Sequence, residues 1–254
     1  MRVLRLSNSG DFSPRLPPES RAGNITKSLL EERLREPVEV ETRLLWPNDR
    51  FPGLAEGWVR EFEPDVVFLR MNAYWITWES APRLVERRLG FLGKQIAKAG
   101  KSSARTPWLA ENAVYRTARK VTVRRIGGAT PFTVEEALVA LDATYRRMVA
   151  AREEIAIVVR GPAGPHNSAG DAAGAARGAK RHAQFEAGAK ALARKYRADW
   201  LAMPGQLVVR GDPALFLGDG IHRTEAGEQD LAIAEAHAIG ALWQRLRPLS
   251  AQVR

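Results

Sequence analysis

Pro64-Asp65-Val66-Val67-Phe68-Leu69-Arg70-Met71-Asn72 is the most telling stretch of the chain. A strand with one wet face alternates apolar and polar residues, whereas a strand covered on both faces reads as an unbroken apolar run. Val66 to Leu69 is such a run, so the segment predicts a central strand of a parallel sheet. Its polar end, Arg70-Met71-Asn72, falls at the carboxyl edge, where open parallel sheets gather their ligands.

Working outward toward the N-terminus, Val3-Leu4-Arg5-Leu6 predicts a first strand that is broken by the turn-forming residues Ser7-Asn8-Ser9-Gly10-Asp11. Asn24 to Arg35 carries apolar residues at helical spacing (Ile25, Leu29, Leu30, Leu34), and Pro37 stops it before the alternating run Val38-Glu39-Val40-Glu41-Thr42. Gly53 to Phe62 predicts a second helix. Toward the C-terminus, residues 73 to 129 show no strand pattern but contain Trp75, Trp78, Trp108 and most of the positive charge. They read as a helical basic insertion at about 73–130 within a single domain spanning 1–254. Thr133-Val134-Glu135-Glu136 is a capping box, with Thr133 and Glu136 each able to satisfy the other's backbone N–H, and it opens a helix to about Arg152. Ile155 to Val159 predicts a buried strand, Lys180 to Arg197 an amphipathic helix, Asp199 to Met203 a short last strand and Thr224 to Leu246 a closing helix. The stretch from Gly161 to Gly178, rich in Gly, Ala and Pro, reads either as a mobile active-site loop or as a disordered excursion. Strands alternating with helices give an α/β fold: a three-layer α/β/α sandwich around a parallel sheet of about five strands.

Composition narrows the chemistry. The chain has 254 residues and no cysteine, which removes disulfides, thiolate nucleophiles and Cys-based zinc sites. Of the four histidines, His182 and His237 fall on predicted helices without a carboxylate at metal spacing, so no metal site is expected. No GxxxxGK and no GxGxxG follows the first strand, which removes the main support for a nucleotide cofactor. No apolar run approaches the ~18 residues of a membrane helix, and Met1 leads directly into the first strand; a cytoplasmic protein without membrane attachment is expected. The net charge is +10, and between Gly93 and Gly128 nine basic residues face a single acid, Glu111. That segment is either a solvated basic face or a surface for an anionic polymer such as nucleic acid.

Three polar groups fall at strand ends or before helices: Ser7-Asn8-Ser9, Asn72 and Asp219-Gly220-Ile221-His222. The Asp-x-x-His spacing puts both side chains within one turn of chain, so the carboxylate can hold the imidazole tautomer whose other nitrogen accepts a proton from a serine. Taken singly, each group has an ordinary alternative. Asp219 and His222 serve equally as a surface acid and a helix-start histidine, and Ser9 as a turn serine bonding its own backbone.

Taken in order, the groups resemble the SGNH/GDSL hydrolase superfamily over nearly the whole chain. Leu6-Ser7-Asn8-Ser9 is similar to the family's first block, with Ser9 on the nucleophile and Ser7 as a competing assignment. Pro64 to Asn72 is similar to its third block, with Asn72 on the oxyanion-hole asparagine. Asp219-Gly-Ile-His222-Arg-Thr-Glu-Ala-Gly227 resembles the fifth block. Arg70 stands where the family has Gly and Ala73 where it has Asp. For the second block, expected between Trp46 and Gly53, Gly53 is the nearest oxyanion candidate, its other reading being the first residue of a helix.

The resemblance implies flavodoxin-like strand order and a serine esterase that needs no metal or organic cofactor. Ser9 attacks the ester, His222 takes its proton, Asp219 orients His222, and Ser9 N–H with Asn72 stabilises the oxyanion. Its substrate is a small-molecule or carbohydrate ester, an O-acetyl or short acyl group among the options. The same residues serve an acyltransferase, and a binding protein that lost activity on this fold is the rival from another class. Trp75, Trp78 and Trp108 either wall an acyl pocket or pack the insertion, and His166 either lines the cleft or sits in a loop.

Overall fold

A computed structural model describes residues 1–12, 14–89, 112–208, 212–217 and 221–251. Trp108, Asp219 and the basic residues from Lys94 to Arg105 lie outside the described residues. Contacts divide the chain into two compact units: Met1–Asn72 with Leu138–Ala163 and Gly188–Arg254, and Ala73–Ala137 with Gly164–Ala187.

The first unit contains a five-stranded, all-parallel sheet in the order β2-β1-β3-β4-β5. The strands are β1 (Arg2–Ser7), β2 (Glu39–Leu44), β3 (Val66–Arg70), β4 (Ala156–Arg160) and β5 (Asp199–Leu201). This is the flavodoxin-like order, and it puts a topological switch between β1 and β3. The chain moves outward from β1 to β2, then crosses back over β1 to reach β3. Right-handed crossovers on either side of that reversal place α1 (Ala22–Leu34) and α2 (Phe51–Phe62) on opposite faces, opening a crevice at the carboxyl ends of β1 and β3.

All five residues of β3 are buried, as its continuous apolar run requires. On one face Val3, Val66, Phe68 and Val158 pack with Leu30 of α1 and with Ala236, Ile239 and Leu242 of the closing helix α8 (Glu225–Ala251), which follows the single-turn helix α7 (Gly205–Val208). The opposite face presents Leu4, Leu6, Val67, Leu69, Ile157 and Val159, all buried. Left-handed residues close α1 and α2: Arg35 and Glu63 adopt φ values of 53° and 46°, a conformation more usual for Gly or Asn, and their N–H groups donate to the carbonyls of Glu31 and Val59.

The second unit holds α3 (Tyr74–Thr77), helical residues over 81–89, α4 (Ala113–Ile126), the start of α5 (Val134–Ala151) and the first two-thirds of α6 (Ala172–Lys195). The capping box forms: Thr133 N–H donates to Glu136 Oε2 at 2.6 Å and Glu136 N–H to Thr133 Oγ at 3.0 Å. Glu79 is clamped by Arg177 at 3.0 Å and Arg181 at 2.8 Å. Burial pushes its carboxyl pKa up, but the two guanidiniums outweigh burial and hold it below the ordinary range.

One expectation is corrected. Residues 161–178 do not form a disordered excursion: Pro162, Ala163, His166, Ser168 and Ala169 are buried, and α6 begins at Ala172, eight residues before the predicted start. Asp171 starts it by accepting from Gly174 N–H at 2.7 Å. Ala and Gly, which look like linker composition, here supply the small side chains of a packed helix start. Among the described residues no helix is long and apolar enough to cross a membrane.

Candidate active site

At the switch point the end of β1 turns sharply. Asn8 Oδ1 accepts from Gly10 N–H at 3.1 Å and Asn8 C=O from Asp11 N–H at 3.3 Å, so a short 3₁₀ turn begins at Ser9. Ser9 is left exposed at the tip, while Ser7, the competing assignment, is fully buried. Ser7 Oγ donates to Asp11 and accepts from Arg70 Nη1 at 3.0 Å, so its hydroxyl is committed to the interior.

The segment before α8 folds back on itself through an antiparallel bridge between Phe216 and Arg223, with Leu217 N–H donating to His222 C=O at 2.8 Å. Thr224 then caps α8: its Oγ accepts from Gly227 N–H at 3.2 Å and donates to Ala214 C=O at 2.5 Å. Only glycine fits at 227, because a Cβ there would stand 2.3 Å from the Leu215 carbonyl oxygen. The Gly227→Ala variant is expected to lose about 2 kcal/mol through forced displacement of this turn, read as a lower urea midpoint; an unchanged midpoint would mean the turn yields freely.

These turns converge. Ser9, Asn72 and His222 line one narrow cavity of about 20 Å³, together with Asn8, Gly10, Met71, Arg160, Ala163, Ile221, Arg223 and Glu228. Asn72 and His222 are half-buried. Gly53 lies elsewhere, exposed in the first turn of α2, and no residue from 46 to 53 lines the cavity. Trp75 and His166 belong to the second unit. Trp75 is 1% exposed and packs edge-on against Phe185, and His166 stands edge-on to Tyr74 and Trp78 while its N–H donates to Thr77 Oγ. Among the described residues no three of His, Cys, Asp and Glu converge as metal ligands.

Beneath the cavity lies a buried ionic cluster. Arg5 of β1, Arg70 of β3 and Arg160 of β4 point toward the face covered by α8, and all are at most 1% exposed. Arg70 and Arg160 are register partners on neighbouring strands. Glu235, fully buried on α8, reaches all three: 2.5 Å to Arg5 Nη2, 3.4 Å to Arg70 Nε and 3.7 Å to Arg160 Nη1. Asp11 pairs with Arg5 at 3.2 Å and also with Arg70, and Glu228 with Arg223 at 3.6 Å. Burial alone pushes a carboxyl pKa up, but Arg5 and Arg70 together drive that of Asp11 far below the ordinary range. The reciprocal attraction overcomes burial at Arg5 and Arg70 and holds both guanidiniums charged. Gly23 of α1 makes room for this arrangement, since a Cβ there would come within 2.6 Å of Arg5 Nη1.

Apart from Arg70, sequence reasoning passed over this cluster. Its signals were present: Arg5 interrupts Val3-Leu4-Leu6, Arg160 closes an apolar run as Arg70 does, and Glu235 sits on the face of α8 that also carries Leu231, Ala232 and Ile239.

No protein-family model matches the sequence, and no curated protein sequence does. Solved structures do match. The psychrotrophic esterase EstA from Pseudoalteromonas sp. superposes with a TM-score of 0.57 at 11% identity, over 94% of this chain and 96% of that one. Est24, a carbohydrate acetylesterase from Sinorhizobium meliloti, gives 0.54 at 12% over 95% and 99%. A protein assigned as a GDSL-like lipase from Parabacteroides merdae gives 0.53 at 16% over 95% of each chain. The chain thus has the fold of the SGNH/GDSL hydrolases.

Proposed function

We propose that this protein is a serine ester hydrolase acting on short acyl esters, with Ser9 as nucleophile and His222 as general base. The observation that carries the reading is the lining of a single cavity by Ser9, Asn72 and His222, at the sheet edge where this fold gathers ligands. A serine hydroxyl is a poor nucleophile until a base removes its proton. His222 takes that proton as Ser9 Oγ attacks the carbonyl carbon, and Asp219, three residues earlier, orients the imidazole. The Asn72 amide and the Ser9 backbone N–H donate to the developing oxyanion. As the tetrahedral intermediate collapses, His222 returns the proton to the departing alcohol. Water, deprotonated by the same imidazole, then releases the acid from Ser9.

The reading is tested with the purified wild-type chain and Ser9→Ala, using 4-nitrophenyl acetate turnover and fluorophosphonate labelling. Both signals are expected from the wild type and neither from the variant; labelling of Ser9→Ala at the wild-type rate, or silence of the wild type in both assays, overturns the reading. Loss of an oxyanion donor lowers kcat about 10²–10³-fold with little change in KM, and that pattern is expected for Asn72→Ala in steady-state kinetics. A rise in KM alone would assign Asn72 to ground-state binding.

A further inference from the structure

The cluster beneath the cavity does not balance. Among the described residues it brings together four buried guanidiniums (Arg5, Arg70, Arg160, Arg223) and three buried carboxylates (Asp11, Glu228, Glu235). The surplus can be located. Arg5 and Arg70 share Asp11 and Glu235, and Arg223 has Glu228 at 3.6 Å, a contact also longer than a hydrogen bond but to a carboxylate that none of the other three arginines pairs with. Arg160 is left with Glu235 Oε1 at 3.7 Å, beyond hydrogen-bond reach, on an oxygen that already faces Arg70 Nε at 3.4 Å. Its Nε and Nη1 have no hydrogen-bond partner. Burial, reinforced by the neighbouring Arg70 guanidinium, pushes the Arg160 pKa well below that of an ordinary arginine, the reverse of what happens at Arg5 and Arg70. A buried guanidinium whose one carboxylate is distant and shared is costly unless something anionic meets it. Arg160 is also the member of the sheet-borne trio that lines the cavity of Ser9, Asn72 and His222.

We propose that Arg160 is a substrate-recognition residue and that the preferred substrate is an ester carrying its own anionic group, a carboxylate or phosphate, close to the scissile carbonyl. The inference rests on the hydrolase reading for the word ester and on the cavity's own chemistry for the word anionic. A guanidinium presents a planar fork of donors that a carboxylate or phosphate meets with two parallel hydrogen bonds, and the low-dielectric surroundings strengthen the contact. A neutral ester would leave the charge of Arg160 buried with only its long contact to Glu235, so discrimination comes from the penalty on the wrong substrate as much as from attraction to the right one.

The test compares kcat/KM for phenyl acetate with acetylsalicylate, whose carboxylate is on the alcohol side, and with monophenyl succinate, whose carboxylate is on the acyl side. At least one anionic ester is expected to exceed the neutral one by about 10- to 100-fold, the range of a well-placed charged contact. In Arg160→Met that ratio is expected to collapse. The variant exchanges a poorly paired buried charge for an apolar chain of similar length, a change that buried ionic sites tolerate, and circular dichroism reports whether the fold is kept. In parallel, succinate and inorganic phosphate are titrated into Ser9→Ala and Ser9→Ala/Arg160→Met, and the rise in Tm is read. Hydrolysis of the neutral ester with no anionic preference overturns this inference and leaves the hydrolase reading standing. Silence on all three esters with Arg160-dependent stabilisation by either anion does the opposite. An anionic preference that survives in Arg160→Met assigns recognition to another residue and overturns the role given to Arg160.

Discussion

Glu235→Ala is expected to be the most damaging single substitution for stability, costing about 3–5 kcal/mol. One carboxylate on α8 faces guanidiniums from β1, β3 and β4, and none of the four side chains is more than 1% exposed. Removing it leaves three like charges in a dry space with Asp11 alone to compensate Arg5 and Arg70. Of these three arginines Arg160 lines the cavity, whereas Arg5 and Arg70 are fully buried away from it and water offers them little compensation. Native domains are stable by only about 5–15 kcal/mol, so the loss is a large share of the total. The measurement is a urea titration followed by circular dichroism, with Glu235→Gln beside it. The amide keeps the shape and one acceptor but not the charge, and should fall between wild type and alanine. A midpoint for Glu235→Ala within about 0.5 kcal/mol of wild type, the range typical of surface substitutions, would show that the cluster contributes nothing net.

The second large effect is on rate. His222→Ala is expected to lower kcat by roughly 10⁴–10⁶-fold with KM little changed, because a general base acts in the transition state and contributes little to ground-state binding. Stability should hold, since His222 is half-buried and the backbone bond from Leu217 to its carbonyl survives the substitution. Fluorophosphonate labelling of Ser9 should slow in the same variant, because the same proton must leave. A loss of less than about tenfold, well short of what a general base supplies, would place the base elsewhere.

Much of the scaffold was legible in the sequence because the signals are local. Val66 to Leu69 reads as buried since a strand covered on both faces needs an apolar residue at every position, and the capping box from Thr133 to Glu136 is a four-residue device that formed as written. The convergence of Ser9, Asn72 and His222 was legible only through the order and spacing of three separate blocks. The ionic cluster was not, because its members are dispersed: Asp11 lies six positions from Arg5, but Glu235, which joins the three strand arginines, is 230 positions from it. Residues 161–171 misled for another reason. Gly, Ala and Pro look the same in a linker and in a close-packed turn, and only the tertiary neighbours of His166, Ser168 and Ala169 separate the two.

The 230-residue span between Arg5 and Glu235 bears on how the chain is made. A ribosome delivers β1 first and α8 last, at roughly 5–20 residues per second, so Arg5, which has Asp11 from the start, waits on the order of 10–50 s for its second carboxylate, Glu235. Through that interval β1, β3 and β4 can come together only by burying three arginines against the single carboxylate of Asp11. The emerging chain is held back from premature collapse by its own unmatched charges, and α8 acts as the last piece that permits the sheet to close. A fragment ending before Glu225 should therefore stay expanded and sensitive to proteases, whatever the strength of its apolar runs.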